Sequence, residues 1–314
     1  MPSDLSIDPN LYLQDLRPED QSAPIVVLGE VLWDVFPDSI RLGGAPLNFG
    51  VHARRLGYEV CLLSAVGADD LGREAETQIA ALGLSSAFLQ TTRAFPTGRA
   101  SVELLPEGGT SFHIQRPAVY DALKITDPEI SRLQSRNPGW LYYGTLFPSR
   151  PEGFAVLARL LEGLDSAKKF YDLNLRPGFE APELVHYLMQ RANVVKLNEE
   201  ELERVHGFTG LPLSTEAFCR EASGRYGWHA VAVTRGSRGC ALFTGGEYVE
   251  SAGRSVDVAD TVGAGDAFAA ALLHGVSANW PAAETAAFAN RVGALVASRR
   301  GAIPDWTPAE VVNL

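Results

Sequence analysis

The chain has 314 residues, 46% of them hydrophobic, and a formal net charge of -11. That length and apolar content suit one large soluble α/β domain, or at most two domains. The acidic balance argues against a nucleic-acid partner, and no apolar run reaches the roughly 18 residues needed to span a bilayer.

Residues 1–23 are rich in acids and lack an apolar signal core, so they are expected to form a loosely docked arm rather than a targeting peptide. The ordered domain is expected over 24–314. It opens with Ile25, Val26, Val27 and Leu28, an apolar run closed by Gly29, as in a strand buried on both faces. Residues 60–66 read the same way. Residues 71–82 have helical spacing and stop at Gly83. Further short apolar strands fall at 140–143, 169–173, 194–197 and 230–233, and helical stretches at 151–164, 181–191, 199–206 and 215–226 separate most of them. Such alternation predicts a mainly parallel sheet with helices on both faces. Residues 36–42 and 97–114 break the pattern. They are strand-like, with Gly108-Gly109 as a turn, and could build a small separate sheet. Cys61, Cys219 and Cys240 lack metal-ligand spacing and read as buried thiols in a reducing, cytoplasmic compartment.

The most informative stretch runs Asp257-Val258-Ala259-Asp260-Thr261-Val262-Gly263-Ala264-Gly265-Asp266-Ala267-Phe268 and leads into an alanine-rich helix former. Gly263 and Gly265 let backbone approach a ligand closely, and the free N–H groups of a helix start attract anions. Asp266 at that edge would bind an anion poorly but could take a proton from an attacking alcohol. Alone, Asp266 could equally be a helix cap. The G-x-x-x-x-G-K-[ST] phosphate loop is absent.

The string Asp-Thr-Val-Gly-Ala-Gly-Asp-Ala-Phe closely resembles the C-terminal signature of ribokinase-like, or phosphofructokinase-B, carbohydrate kinases. Gly43-Gly44-Ala45-Pro46-Leu47-Asn48 resembles their N-terminal signature in its fructokinase form. The resemblance spans the chain from about residue 24. It implies a three-layer α/β/α core with a β lid from about 36–48 and 93–119, ATP and Mg²⁺ as cofactors, and a homodimer through the lid. Asp266 is then the general base, with the backbone of Gly263, Ala264 and Gly265 as anion hole. Asp34, Gly43, Gly44, Asn48, Asn174 and Arg176 would meet the sugar. Asn198, Thr234, Gly236, Gly239 and Asn290 would meet the nucleotide. Glu201, in Asn198-Glu199-Glu200-Glu201, would act on hydrated Mg²⁺, and Asp260 matches a position that binds K⁺ in some members.

The expected reaction is transfer of the γ-phosphate of ATP to a primary hydroxyl of an unphosphorylated sugar, most simply D-fructose. Ala45 stands where ribokinase and phosphosugar-kinase versions usually carry Lys, and no Lys or Arg occurs between Gly43 and Ala53. The alternatives are 2-keto-3-deoxygluconate, whose carboxylate could meet Arg99 or Arg176, a nucleoside acceptor, or a binding protein that has lost turnover.

Overall fold

A computed structural model describes residues 23–104 and 110–314. Most of the expected arm and the Gly108-Gly109 turn lie outside the described residues.

The nine-stranded main sheet has the order β13-β12-β11-β10-β9-β8-β1-β4-β5. Its strands are β1 (Ile25–Leu28), β4 (Val60–Gly67), β5 (Leu89–Thr92), β8 (Trp140–Gly144), β9 (Lys168–Asp172), β10 (Val194–Asn198), β11 (Ala230–Thr234), β12 (Cys240–Thr244) and β13 (Glu247–Ser251). From β5 to β11 all neighbours are parallel, and β11-β12-β13 close one edge antiparallel. Every residue of β1 and β4 is buried, which is why β1 is wholly apolar and β4 is apolar apart from Ser64.

Strand side chains alternate between faces, and the core divides accordingly. Ile25 and Val27 pack with the helices Ala45–Arg55, Ala264–Ser277 and Ala282–Ala297. Val26 and Leu28 pack with Pro151–Gly163, Pro182–Arg191 and Thr215–Tyr226. This confirms the three layers expected from the alternation.

A second sheet has the order β3-β2-β6-β7, with β2 (Leu32–Val35), β3 (Ile40–Gly43), β6 (Gly98–Leu104) and β7 (Thr110–Ile114). It corrects the expected segments at both ends. The sheet begins at Leu32, four residues before the expected start, because β2 pairs in parallel with β6. Pro46, Leu47 and Asn48 belong instead to the Ala45–Arg55 helix, which starts at Gly44 with proline in its first turn. β5, the β12-β13 hairpin and the helix Asp127–Gln134 were not foreseen. The hairpin turns on Gly245 and Gly246, both at positive φ, as a tight two-residue turn requires.

Candidate active site

The carboxyl ends of β1, β9, β10 and β11 converge on one side of the sheet, where open α/β folds bind ligands. The Ala264–Ser277 helix points its first turn at the same place. Its cap is Gly263, at φ 80°, and a Cβ there would lie 2.3 Å from the Ala302 carbonyl oxygen. Gly263 is therefore required both by its backbone angle and by the packing. The helix then buries every residue from Ala267 to Val276, so its position is fixed from all sides.

Two cavities meet at this helix start. The larger, about 800 Å³, is lined by Asn198, Thr234, Gly236, Gly239, Asn290 and the backbone of Ala264 and Gly265, with Val256, Val258 and Phe268 as an apolar wall. The smaller, about 250 Å³, is lined by Asp34, Gly44, Asn48, Asn174, Arg176 and Asp266, with Phe112 and Ile114 from the second sheet. Asn198, Thr234, Thr261 and Gly265 border both. Gly43 lies just behind the smaller cavity, where a Cβ would come within 2.5 Å of Asp34 Oδ2. The residues singled out in the sequence line or adjoin these two cavities, except Arg99, which is exposed.

Several, however, have partners that the sequence did not disclose. Asn48 Nδ2 donates to Asp266 Oδ2 at 2.8 Å, and its buried Oδ1 has no partner among the described residues. Asn290 donates to the Ser251 and Ala252 carbonyl oxygens at 3.1 and 3.3 Å, so it anchors the chain leaving β13 as well as lining the larger cavity. Glu201 accepts from Leu175 N at 2.7 Å and from Asn198 N at 2.8 Å. The Asn198 side chain in turn caps Glu201 N at 2.8 Å. Asp260 accepts from Val262 N, from Gly301 N and from Arg41 at 3.0, 3.0 and 3.1 Å. The position matched to K⁺ thus already faces a guanidinium from the second sheet.

Burial raises four carboxyl groups here, Glu201 among them. Desolvation and, next, the Asp172 charge push Asp266 up to about 6, against the Asn48 hydrogen bond and the Lys196 charge. Glu30 and Asp34 rise to about 7, chiefly through desolvation. Glu30, Asp172 and Lys196 were not singled out from the sequence. The available signal was a charged residue inside or directly after a buried apolar strand.

Among the described residues no cluster of three or more His, Cys, Asp or Glu side chains is placed to cage a metal. Glu201 is buried with both oxygens engaged. This donor set fits a divalent ion carried mainly by phosphate oxygens and water, the usual habit of Mg²⁺.

An apolar-walled cavity and a polar one thus meet at the start of the Ala264–Ser277 helix, and the Asp266 carboxyl lines the polar one. Residues 22–309 match the family model for pfkB family carbohydrate kinases, and the chain belongs to that family. It is accordingly an ATP-dependent carbohydrate kinase. Among its relatives, the fructokinase of Escherichia coli is 29% identical over 303 residues, covering 90% of this chain and 95% of the relative. A fructokinase from Xylella fastidiosa solved with bound ATP superposes with a TM-score of 0.80 at 24% identity, over 92% of this chain and 97% of that one. A 2-dehydro-3-deoxygluconokinase from Thermotoga maritima gives 0.82 at 20% identity, over 93% and 98%.

Proposed function

We propose that this kinase phosphorylates D-fructose on its 6-hydroxyl, with Asp266 as general base. The observation that carries this is the chemistry of the smaller cavity. Its cations among the described residues are Arg176 and Lys196, and Lys196 is already paired with Asp172. A second phosphate on the substrate would need more positive charge than that. Asp34, Asn174 and the free Asn48 Oδ1 suit hydroxyl groups instead.

In the reaction, the sugar oxygen attacks the γ-phosphorus and gives its proton to the Asp266 carboxylate. The bond from phosphorus to the β,γ-bridging oxygen breaks, releasing ADP. Backbone N–H groups of Gly263 and Gly265, and that of Ala264 once it leaves the Thr261 carbonyl oxygen at 3.3 Å, would receive the charge on the moving phosphoryl group. Asn198, Thr234, Gly236, Gly239 and Asn290 border the nucleotide. When bound, Mg²⁺ would neutralise phosphate charge, with Glu201 and Asn198 as the protein groups near its water shell.

The second sheet is read as a lid, because Leu32, Ala100, Phe112 and Ile114 form the sugar cavity's outer wall. Its closure would exclude water. Self-association through the outer face of that sheet is tested by sedimentation velocity; a monomer at all concentrations would remove it. A cytoplasmic setting accords with three free, buried cysteines.

The test of the acceptor is kcat/KM for fructose, ribose, a nucleoside, 2-keto-3-deoxygluconate and fructose 1-phosphate. Fructose is expected to lead. A preference for the sugar acid would transfer the assignment to that branch, with Arg176 holding the carboxylate. Arg99 could not, since it is exposed and its neighbours Gly98 and Ala100 turn inward. Absence of turnover with every acceptor would leave only a binding protein.

Two ion dependences follow. EDTA-treated enzyme is expected to be inactive, and Glu201→Ala to need more Mg²⁺ for half-maximal rate; equal Mg²⁺ curves for variant and wild type would remove Glu201 from this role. Replacement of K⁺ by Na⁺ is expected to change kcat less than about twofold, because Arg41 already supplies the charge beside Asp260. A large activation by K⁺ would restore Asp260 as a monovalent-cation ligand.

A further inference from the structure

Strand β10 carries one charge in an otherwise apolar run: Val194, Val195, Lys196, Leu197. Lys196 is only 7% exposed, and its Nζ donates to Asp172 Oδ1 and Oδ2 at 2.9 and 3.2 Å. Asp172 is fully buried and also accepts from the Tyr142 hydroxyl at 3.2 Å. Such a pair is a poor way to hold two strands together, because apolar residues would do so without desolvating two charges. Its position suggests another use. Nζ lies 3.4 Å from where a Cβ would sit on Gly265, beside the helix start, and Lys196 shares the cavity with Asp266. An ammonium has three N–H donors. Asp172 takes two, and no acceptor among the described residues takes the third.

We propose that Lys196 is the cationic member of the anion hole: its third N–H bonds a non-bridging oxygen of the phosphoryl group in transit, while Asp172 holds the ammonium in place. This rests on the kinase assignment above. Lys196 keeps its proton throughout; the only proton transferred goes from the sugar hydroxyl to Asp266. Burial alone would lower the Lys196 pKa, but the carboxylates of Asp172, Glu201 and Asp266 outweigh it and hold the ammonium charged. The site thereby has a fixed positive charge beside neutral backbone donors, in a cavity where water screens little.

The test compares Lys196→Met with the double variant Lys196→Met/Asp172→Asn. The single variant strands a buried carboxylate and is expected to lose thermal stability. The double variant removes that charge and is expected to regain most of it. If Lys196 acts on the phosphoryl group, kcat of the double variant stays down by about 10²–10³, as for loss of one anion-hole donor, with KM for both substrates little changed. Recovery of kcat together with stability would make the pair structural and overturn the proposal. A second measurement needs no sugar. Calorimetric titration should show the double variant binding ADP like wild type but ADP with aluminium fluoride, a mimic of the phosphoryl in transit, at least about tenfold more weakly. Equal affinities would also overturn it, even if the acceptor proved not to be fructose. A wild type that turned over no sugar at all would count against the kinase assignment separately.

Discussion

Asp266→Asn is expected to lower kcat by about 10³–10⁴ while ATP and sugar still bind. Loss of a general base costs about 10²–10⁴. The upper part of that range applies because Asp266 is also oriented, by the Asn48 hydrogen bond at 2.8 Å, toward the cavity where the alcohol must sit. Asn is isosteric, so the helix start should be undisturbed. Retention of more than about a tenth of wild-type kcat, with chemistry limiting, would reject Asp266 as the base.

The pH profile gives an independent check. As the proposed general base Asp266 would have to be ionised, and its pKa is pushed up to about 6. Below that pH the base is protonated, so kcat/KM should fall about tenfold per unit, and above it the profile should level off. Glu30 and Asp34, near 7, face the same cavity, together with Glu201, Lys196 and Arg176, and the buried Asp172 is paired with Lys196. The observed limb therefore belongs to a coupled set between about 6 and 7. It should survive, somewhat displaced, in Asp34→Asn and vanish in Asp266→Asn. A limb unchanged in the residual activity of Asp266→Asn would point to another group.

Gly263→Ala is the second large effect. At φ 80° a residue with a Cβ costs about 1–2 kcal/mol before any contact is counted. The added methyl would also stand 2.3 Å from Ala302 O and 2.6 Å from Ala302 Cα, both backbone atoms. That backbone cannot easily withdraw. His52 Nε2 bonds Ala302 O at 3.0 Å, and Trp306 donates to His52 Nδ1 at 3.0 Å, which leaves the Nε2 proton for the carbonyl. Arg55 holds Ile303 O at 3.1 Å from the same helix. The strain should pass into the glycine loop and move the anion-hole N–H groups. A fall in kcat of about 10²–10³, with a lower melting temperature, is expected. Wild-type kcat in a folded Gly263→Ala enzyme would show that the loop tolerates the shift and that its geometry is not limiting.

The contrast between these two positions shows what the chain makes legible. Buried parallel strands must be apolar on both faces, so β1, β4, β8, β9, β10 and β11 stood out as short runs, and their alternation with helices gave the layers. The glycine loop was legible because a positive φ and close backbone packing leave few residue choices at Gly263. β13 was missed because an edge strand need not be apolar; all of its residues are half-buried or exposed. The helix Asp127–Gln134 was missed for a similar reason, as only Leu133 among its residues is fully buried.

By itself the sequence determined the layered α/β core, a helix start behind a glycine loop, and a carboxylate in the first turn of that helix. These are local matters: strand hydrophobicity, glycine at a close approach, and a helix N-terminus all act within a few residues. Tertiary structure alone decided who faces whom. It set Asn48 against Asp266 across 218 positions, brought Arg41 to Asp260, and paired Lys196 with Asp172 beneath the glycine loop. Charge and hydrogen-bond partnerships depend on distance in space, which the parallel crossovers set, and separation along the chain does not reveal them.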